Sequence, residues 1–286
     1  MKLKEYPKSF FRARQLKSKS LKSLKCRMDG VEHSIPVIIS LTSIPQRLKY
    51  IHLTIRSLLC QDYAAQKIVL WLNNGLRGKL PKSLSDLEHE RFEIIFHDHF
   101  SSHRKLVFAL DQYKGSLIVT CDDDLMYDAT WLSRLMFDHK RFPSAVIAHE
   151  CREIMLGADK KLLSYQQWPT IKSADYSHVN LLPIGYGGVL YPVGALFADV
   201  TKRDLYMELA PKADDLWFKA MSFLNGTSVR RSSNPGAKPM PIIGAKGSSL
   251  AKTNILQDGN RIQWQAICDH YQIKLDNGSE LKASNI

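Results

Sequence analysis

Between residues 36 and 140 short apolar runs alternate with amphipathic stretches, and this alternation limits the possible folds more than any other feature of the chain. The runs PVIISLT (36–42), KIVLWL (67–72), FEIIFH (92–97) and SLIVTC (116–121) have the length and β-branched content of buried strands. Between them, residues 47–60 place Leu48, Ile51, Ile55, Leu58 and Leu59 on one helical face. Residues 81–90 read as helical, and residues 105–113 as a further amphipathic helix. Strand and helix repeating at this spacing predict an α/β fold with a Rossmann-like, mostly parallel sheet flanked by helices. In such sheets ligands bind outside the carboxyl ends of the strands.

After Phe142 the pattern loosens. Gly185-Tyr186-Gly187-Gly188 and Tyr191-Pro192-Val193-Gly194 read as a flexible, aromatic-bearing stretch, and residues 232–249 as loop. Helices are expected at 214–224 and 260–272.

Order is expected to begin near Ile35, because the residues before it are dominated by charge. The chain of 286 residues carries a net charge of +12, yet residues 1–27 hold ten Lys and Arg against Glu5 alone. The folded part is therefore close to neutral. A basic tail with Phe10, Phe11, Leu16, Leu21 and Leu24 interleaved suits either a solvated leader or peripheral contact with an anionic membrane. Nucleic acid ranks below both, since neither zinc-finger spacing nor an RNA-recognition signature is present. No apolar run is long enough to cross a bilayer and no apolar core of a signal peptide follows the charged start, so a cytoplasmic location is expected, with the inner face of the cell membrane as the peripheral alternative. The five scattered cysteines form no CxxC pair, which argues against a disulfide framework or zinc ribbon.

Asp122-Asp123-Asp124 directly follows the fourth strand. In extended chain Asp122 and Asp124 face the same way, and two like charges so placed are tolerated best with a cation between them. Mg²⁺ or Mn²⁺ would fill that role and keep coordination positions open for phosphate. The competing reading is an exposed acidic turn, although Asp128 suffices to cap a helix starting near Ala129. Asp214-Asp215 opens a later helix and suits either acid–base chemistry or the helix dipole. His97, His99 and His103 lack the regular scaffold of a zinc site and are read as solvated or acceptor-contacting.

A strand ending in Asp-x-Asp, followed by Tyr127 and a helix bearing Trp131-Leu132, resembles the metal-binding motif of GT-A glycosyltransferases. Residues 40–61 (SLTSIPQRLKYIHLTIRSLLCQ) and 103–124 (HRKLVFALDQYKGSLIVTCDDD) are similar to family-2-like bacterial enzymes of that class, and ADDLWF (213–218) to their acidic pair. The resemblance implies a GT-A sheet, a nucleotide-sugar donor, a glycan or glycolipid acceptor and a role in capsule or lipopolysaccharide synthesis. It divides the chain into a basic tail (1–30), a nucleotide-sugar-binding half (31–145) and an acceptor-binding half (146–286).

The implied catalytic pair is Asp215, the base of an inverting displacement, with Asp214 orienting it. The donor would contact Thr42, Arg47, Asn73, Lys105, Asp122 and Asp123, with the metal on Asp122 and Asp124. Tyr186, Gly187, Gly188 and Trp217 would meet the acceptor. Asn73-Asn74 departs from the aspartate common at the end of the second strand, so base recognition would rest on an amide. A metal-dependent nucleotidyltransferase is the main rival, although Ser43-Ile44-Pro45-Gln46-Arg47 lacks the glycine-rich phosphate loop expected of one. A non-catalytic membrane- or polyanion-binding module is the other.

Overall fold

The computed structural model describes residues 5–25, 36–245, 254 and 257–275. Helices α1 (Tyr6–Ser18) and α2 (Leu21–Lys25) precede β1 (Val37–Thr42), α3 (Leu48–Leu59), β2 (Lys67–Asn73), α4 (Lys82–Ser85), β3 (Phe92–His97), α5 (Arg104–Gln112) and β4 (Leu117–Thr120). Then come β5 (Leu125–Met126), α6 (Trp131–Arg141), β6 (Val146–Ala148), β7 (Cys151–Glu153), β8 (Leu181–Pro183) and β9 (Val189–Tyr191). The chain closes with α7 (Arg203–Leu209), α8 (Asp214–Leu224), β10 (Val229–Arg231), β11 (Met240–Pro241) and α9 (Gly259–Tyr271).

The central sheet has seven strands in the order β10-β6-β9-β4-β1-β2-β3. β1, β2, β3 and β4 are parallel, β10 is parallel to β6, and β9 runs antiparallel to both β4 and β6. The expected α/β class with a mostly parallel sheet holds. Residues alternate across it: Val37, Ile39 and Leu41 enter the core layer under α3, while Ile38 enters the layer under α5 and α8.

Three expectations are corrected. Residues 81–90 hold only one helical turn, α4, because His89 and Phe92 exchange backbone hydrogen bonds at 3.0 Å and fold the chain into β3. The stretch expected to be flexible contains β9, which fills the place between β4 and β6.

The third correction concerns the basic segment, which is docked helix rather than a leader. Leu16 and Leu24 are 0 % and 1 % exposed, and the Arg56 guanidinium of α3 donates to the carbonyls of Leu16 and Lys19 at 3.2 and 3.0 Å. Ser9 Oγ donates to the Pro241 carbonyl at 2.7 Å. Leu16 of α1, Leu24 of α2 and a few contacts to backbone carbonyls fix this segment despite its charge, because Lys8, Arg14, Lys17 and Lys22 stay exposed while Arg12 donates to the Tyr127 carbonyl. Residues 1–4 and 26–35 lie outside the described residues.

Candidate active site

The pairing of β1 with β4 sets Ser40 beside Thr120, so the two strands end level and deliver Thr42-Ser43 and Asp122–Asp124 to one edge of the sheet. The N-termini of α5 and α8 bring Arg104-Lys105 and Asp214-Asp215 to the same edge.

The three consecutive aspartates have different surroundings. Asp123 is 4 % exposed; its carboxylate accepts from Ser43 Oγ at 2.5 Å and from Arg47 Nη1 at 2.5 Å, and its carbonyl accepts from Thr54 Oγ1 at 2.9 Å. It anchors the turn. Asp122 and Asp124 both line a cavity of about 400 Å³. Arg47 Nη2 reaches Asp124 at 3.2 Å. Burial opposes the charge on Arg47, yet Asp123 and Asp124 hold its guanidinium above the ordinary range. Burial, with repulsion from Asp122 and Asp123, pushes Asp124 up to about 6 despite Arg47. Burial thus outweighs the Arg47 ion pair at Asp124, and its charge is held at a cost that a further cation would relieve.

Lys105 joins this turn to the acidic pair. Its Nζ lies 2.8 Å from Asp214 Oδ2 and 3.3 Å from Asp122 Oδ1, and the residue is 5 % exposed. Burial alone would lower its pKa; Asp214, Asp122 and Asp215 together hold it well above the ordinary value. Asp214 is kept ionised by Lys105 in spite of burial, and Ser102 Oγ donates to it at 2.9 Å. Asp215 differs. Burial and the adjacent Asp214 raise it to about 7, and its Oδ2 accepts from the Gly185 N–H at 3.0 Å. Two neighbouring carboxylates thus have affinities pushed apart, one ionised and one ready to take a proton near neutrality.

The far wall is built on the glycine run. Tyr186 lines the cavity, and its hydroxyl donates to Glu150 Oε2 at 2.7 Å and accepts from Lys238 Nζ at 3.1 Å. Lys238 also pairs with Glu150 at 3.1 Å. A Cβ on Gly188, where φ is +102°, would meet the Trp131 ring at 2.4 Å, and one on Gly187 would meet Glu150 at 2.8 Å. These two glycines are explained by packing, without invoking an approaching sugar.

Several candidates are occupied elsewhere. Trp217 is 0 % exposed and its indole N–H donates to the Val200 carbonyl at 3.0 Å, so it is a core residue and no platform for an acceptor. Thr42 Oγ1 donates to the Trp71 carbonyl at 2.9 Å and accepts from Arg104 Nε. Asn73 accepts from the Gly75 N–H at 2.9 Å and donates to the Asp98 carbonyl at 3.2 Å, capping the turn after β2. Both carboxylate oxygens of Asp123 accept from Ser43 and Arg47 and the residue is 4 % exposed, so its carboxylate is committed to the turn rather than to the cavity. Asp128 accepts from the Thr130 N–H at 2.9 Å, and α6 begins at Trp131 rather than near Ala129. His103 stacks on Tyr206 with ring centroids 4.5 Å apart, and His99 Nε2 pairs with the Tyr206 hydroxyl at 3.0 Å. The three histidines do not gather around a common point for a metal.

Sequence reasoning missed Ser43, Glu150, Lys238, Glu5 and Lys8, the last four of which surround or line the cavity wall. Glu150 follows β6 as the aspartates follow β4, so the strand-end rule that singled out the aspartates applies to it equally. Nothing local marks Lys8 or Lys238.

Among the described residues, no group of three or more His, Cys, Asp or Glu is placed to hold a metal ion. Mg²⁺ and Mn²⁺ bound through one or two carboxylates with waters and substrate phosphates need no such group. Asp122 and Asp124 line one cavity, and burial raises the cost of charge on Asp124, so the two carboxylates fit that kind of site.

Comparison with protein families finds none that matches, and comparison with curated proteins finds no relative. Solved structures similar to this one include S. aureus TarS 1–349 in complex with UDP, at 14 % identity and a TM-score of 0.45, covering 70 % of this chain and 58 % of that one. Another is 4-diphosphocytidyl-2C-methyl-D-erythritol synthase from Anaerococcus prevotii, at 10 % identity and a TM-score of 0.46, covering 80 % and 96 %. The chain thus spans under two thirds of the TarS fragment.

Proposed function

We propose that this chain is a GT-A-type glycosyltransferase that moves a sugar from a nucleotide-sugar donor to a hydroxyl of a glycan or glycolipid. The observation that carries the reading is the Lys105 bridge: it couples a cavity-lining strand-end aspartate to a second acidic pair in which one carboxyl is poised near neutral pH. Asp122 and Asp124 would hold Mn²⁺ or Mg²⁺, which when bound supplies positive charge to a leaving diphosphate. The remaining work belongs to side chains. Asp215 takes the proton of the acceptor hydroxyl. Asp214, fixed by Ser102 and Lys105, keeps Asp215 basic by its charge. Arg47 holds the aspartate turn rather than the phosphates. Tyr186 and Lys238 offer the acceptor a polar rim. The resemblance of residues 40–61 and 103–124 to family-2-like bacterial enzymes, rather than the site itself, suggests synthesis of a bacterial surface glycan as the setting.

The nucleotidyltransferase reading needs a nucleoside triphosphate and releases pyrophosphate. It is less favoured because the loop after β1 has no glycine and its arginine is paired with Asp123 and Asp124. The deciding experiment incubates the protein and Mn²⁺ with a panel of nucleotide sugars and, separately, of nucleoside triphosphates with sugar phosphates. Release of nucleoside diphosphate from one donor class supports glycosyl transfer. Pyrophosphate release with no activity on any nucleotide sugar would overturn it.

A further inference from the structure

We propose that the outward face of α1 is a docking surface for an anionic lipid bilayer. The inner face of the helix is fully used: Ser9 and Leu16 are buried, and Arg12 Nη2 donates to the Tyr127 carbonyl at 3.2 Å. The outer face carries Tyr6, Phe10 and Phe11, which are 46 %, 55 % and 67 % exposed. The Phe10 and Phe11 rings stand edge to face with centroids 6.0 Å apart. These three large apolar side chains share two turns of one helix. Such a cluster in water is unfavourable unless something covers it.

Charge selects the occupant. Lys8, Arg14 and Lys17 of α1 and Lys22 of α2 are all exposed. The helix sequence YPKSFFRARQLKS contains no acid. Two copies of this face would bring like charges together, so a self-interface is disfavoured. An anionic bilayer accepts the aromatic rings in its interfacial zone and attracts the cations to its headgroups. No helix among the described residues is long and apolar enough to cross the membrane, so the contact is one of lying on the surface.

The placement has a consequence for the site. α1 also contributes Lys8 to the lining of the cavity that holds Asp122 and Asp124, and Glu5, just ahead of the helix, lines it too. A bilayer seated on α1 therefore lies beside the cavity mouth and would present lipid-anchored substrates to it. The docking itself does not rest on the glycosyltransferase reading.

The test is co-sedimentation of the full chain with lipid vesicles. Vesicles of phosphatidylcholine containing about 30 % phosphatidylglycerol are compared with phosphatidylcholine alone. The parent is expected to pellet with the anionic vesicles only. The double variant Phe10→Ser/Phe11→Ser should lose roughly tenfold or more in partitioning, and Lys17→Gln/Lys22→Gln roughly fivefold per removed cation. Thermal midpoints and hydrolysis of a soluble donor should stay unchanged, since all four side chains are exposed. The proposal is overturned if the parent ignores anionic vesicles or if the phenylalanine variant pellets like the parent. A change in solution mass on removing the phenylalanines, measured by light scattering, would overturn it in favour of a self-interface.

Discussion

Two lysines packed against helix α8 are equally dry and behave oppositely. Lys105, on α5 beside the N-terminal end of α8, is 5 % exposed and lies among Asp214, Asp122 and Asp215, which hold its proton tightly. Lys219, one turn into α8, is 2 % exposed; its ammonium donates to the Val179 carbonyl at 2.6 Å, and burial lowers its pKa to about 7. Dehydration disfavours both charges, so the difference is the counter-charge. The first region concentrates charge of both signs at the sheet edge, as a site for a charged ligand must. The second tolerates a single amine by letting it lose its proton. A buried ionisable group by itself therefore says little about function; a mutually dependent set says more.

Substitutions can break or sharpen this contrast. The largest effect is expected for Asp215→Asn: turnover should fall by roughly 10²- to 10⁴-fold with donor affinity kept, since the amide can still accept from the Gly185 N–H. In the parent, turnover should rise with pH to a plateau through about 7, where Asp215 loses its proton. A raised acid pKa means that ionisation opposes folding, so Asp215→Asn should also raise the thermal midpoint above pH 7 and not at pH 4. Unchanged turnover would remove Asp215 as the base.

Lys105→Met comes next. It strands Asp122, Asp214 and Asp215 without their cation and should cost about 3–5 kcal/mol at pH 8 in denaturant unfolding. The loss should shrink on acidification, as protons replace the missing ammonium. Lys219→Met is the control from the other region. Its folded pKa is depressed, so the unfolded chain binds more protons between about 7 and 10.5, and parent stability should climb with pH across that window. The methionine variant should lack this slope and be more stable than the parent by roughly 1–3 kcal/mol at pH 6. Equal losses from the two lysine substitutions would dissolve the comparison.

The strand-helix half was legible because its signals are local. β1, β2 and β4 are continuous apolar runs, and α3 repeats its leucines and isoleucines with helical period. β9 was missed because three residues carry no periodicity and nothing in them fixes strand direction. α1 was missed because its docking depends on distant partners, the Pro241 and Tyr127 carbonyls, and its charge masks two burying leucines in the helical segment. At the site, Asp122, Asp214 and Asp215 could be singled out from their positions after a strand or at a helix start, and Lys105 from the family resemblance. That Lys105 stands between the two acidic groups could not, since it follows from how α5 and α8 pack on the sheet. Trp217 failed for a simple reason: an aromatic ring beside an acidic pair suits a sugar or a core equally well, and only burial separates the two.

The account depends on Asp122 and Asp124 being paired for a divalent ion and a diphosphate at the cavity. Calorimetric titration of the nucleoside diphosphate released from the active donor, with and without Mn²⁺, measures this directly. The parent should bind at least about tenfold more tightly with Mn²⁺, and Asp124→Ala should bind alike in both conditions. Metal-independent binding by the parent, or an undiminished Mn²⁺ effect in Asp124→Ala, would contradict it.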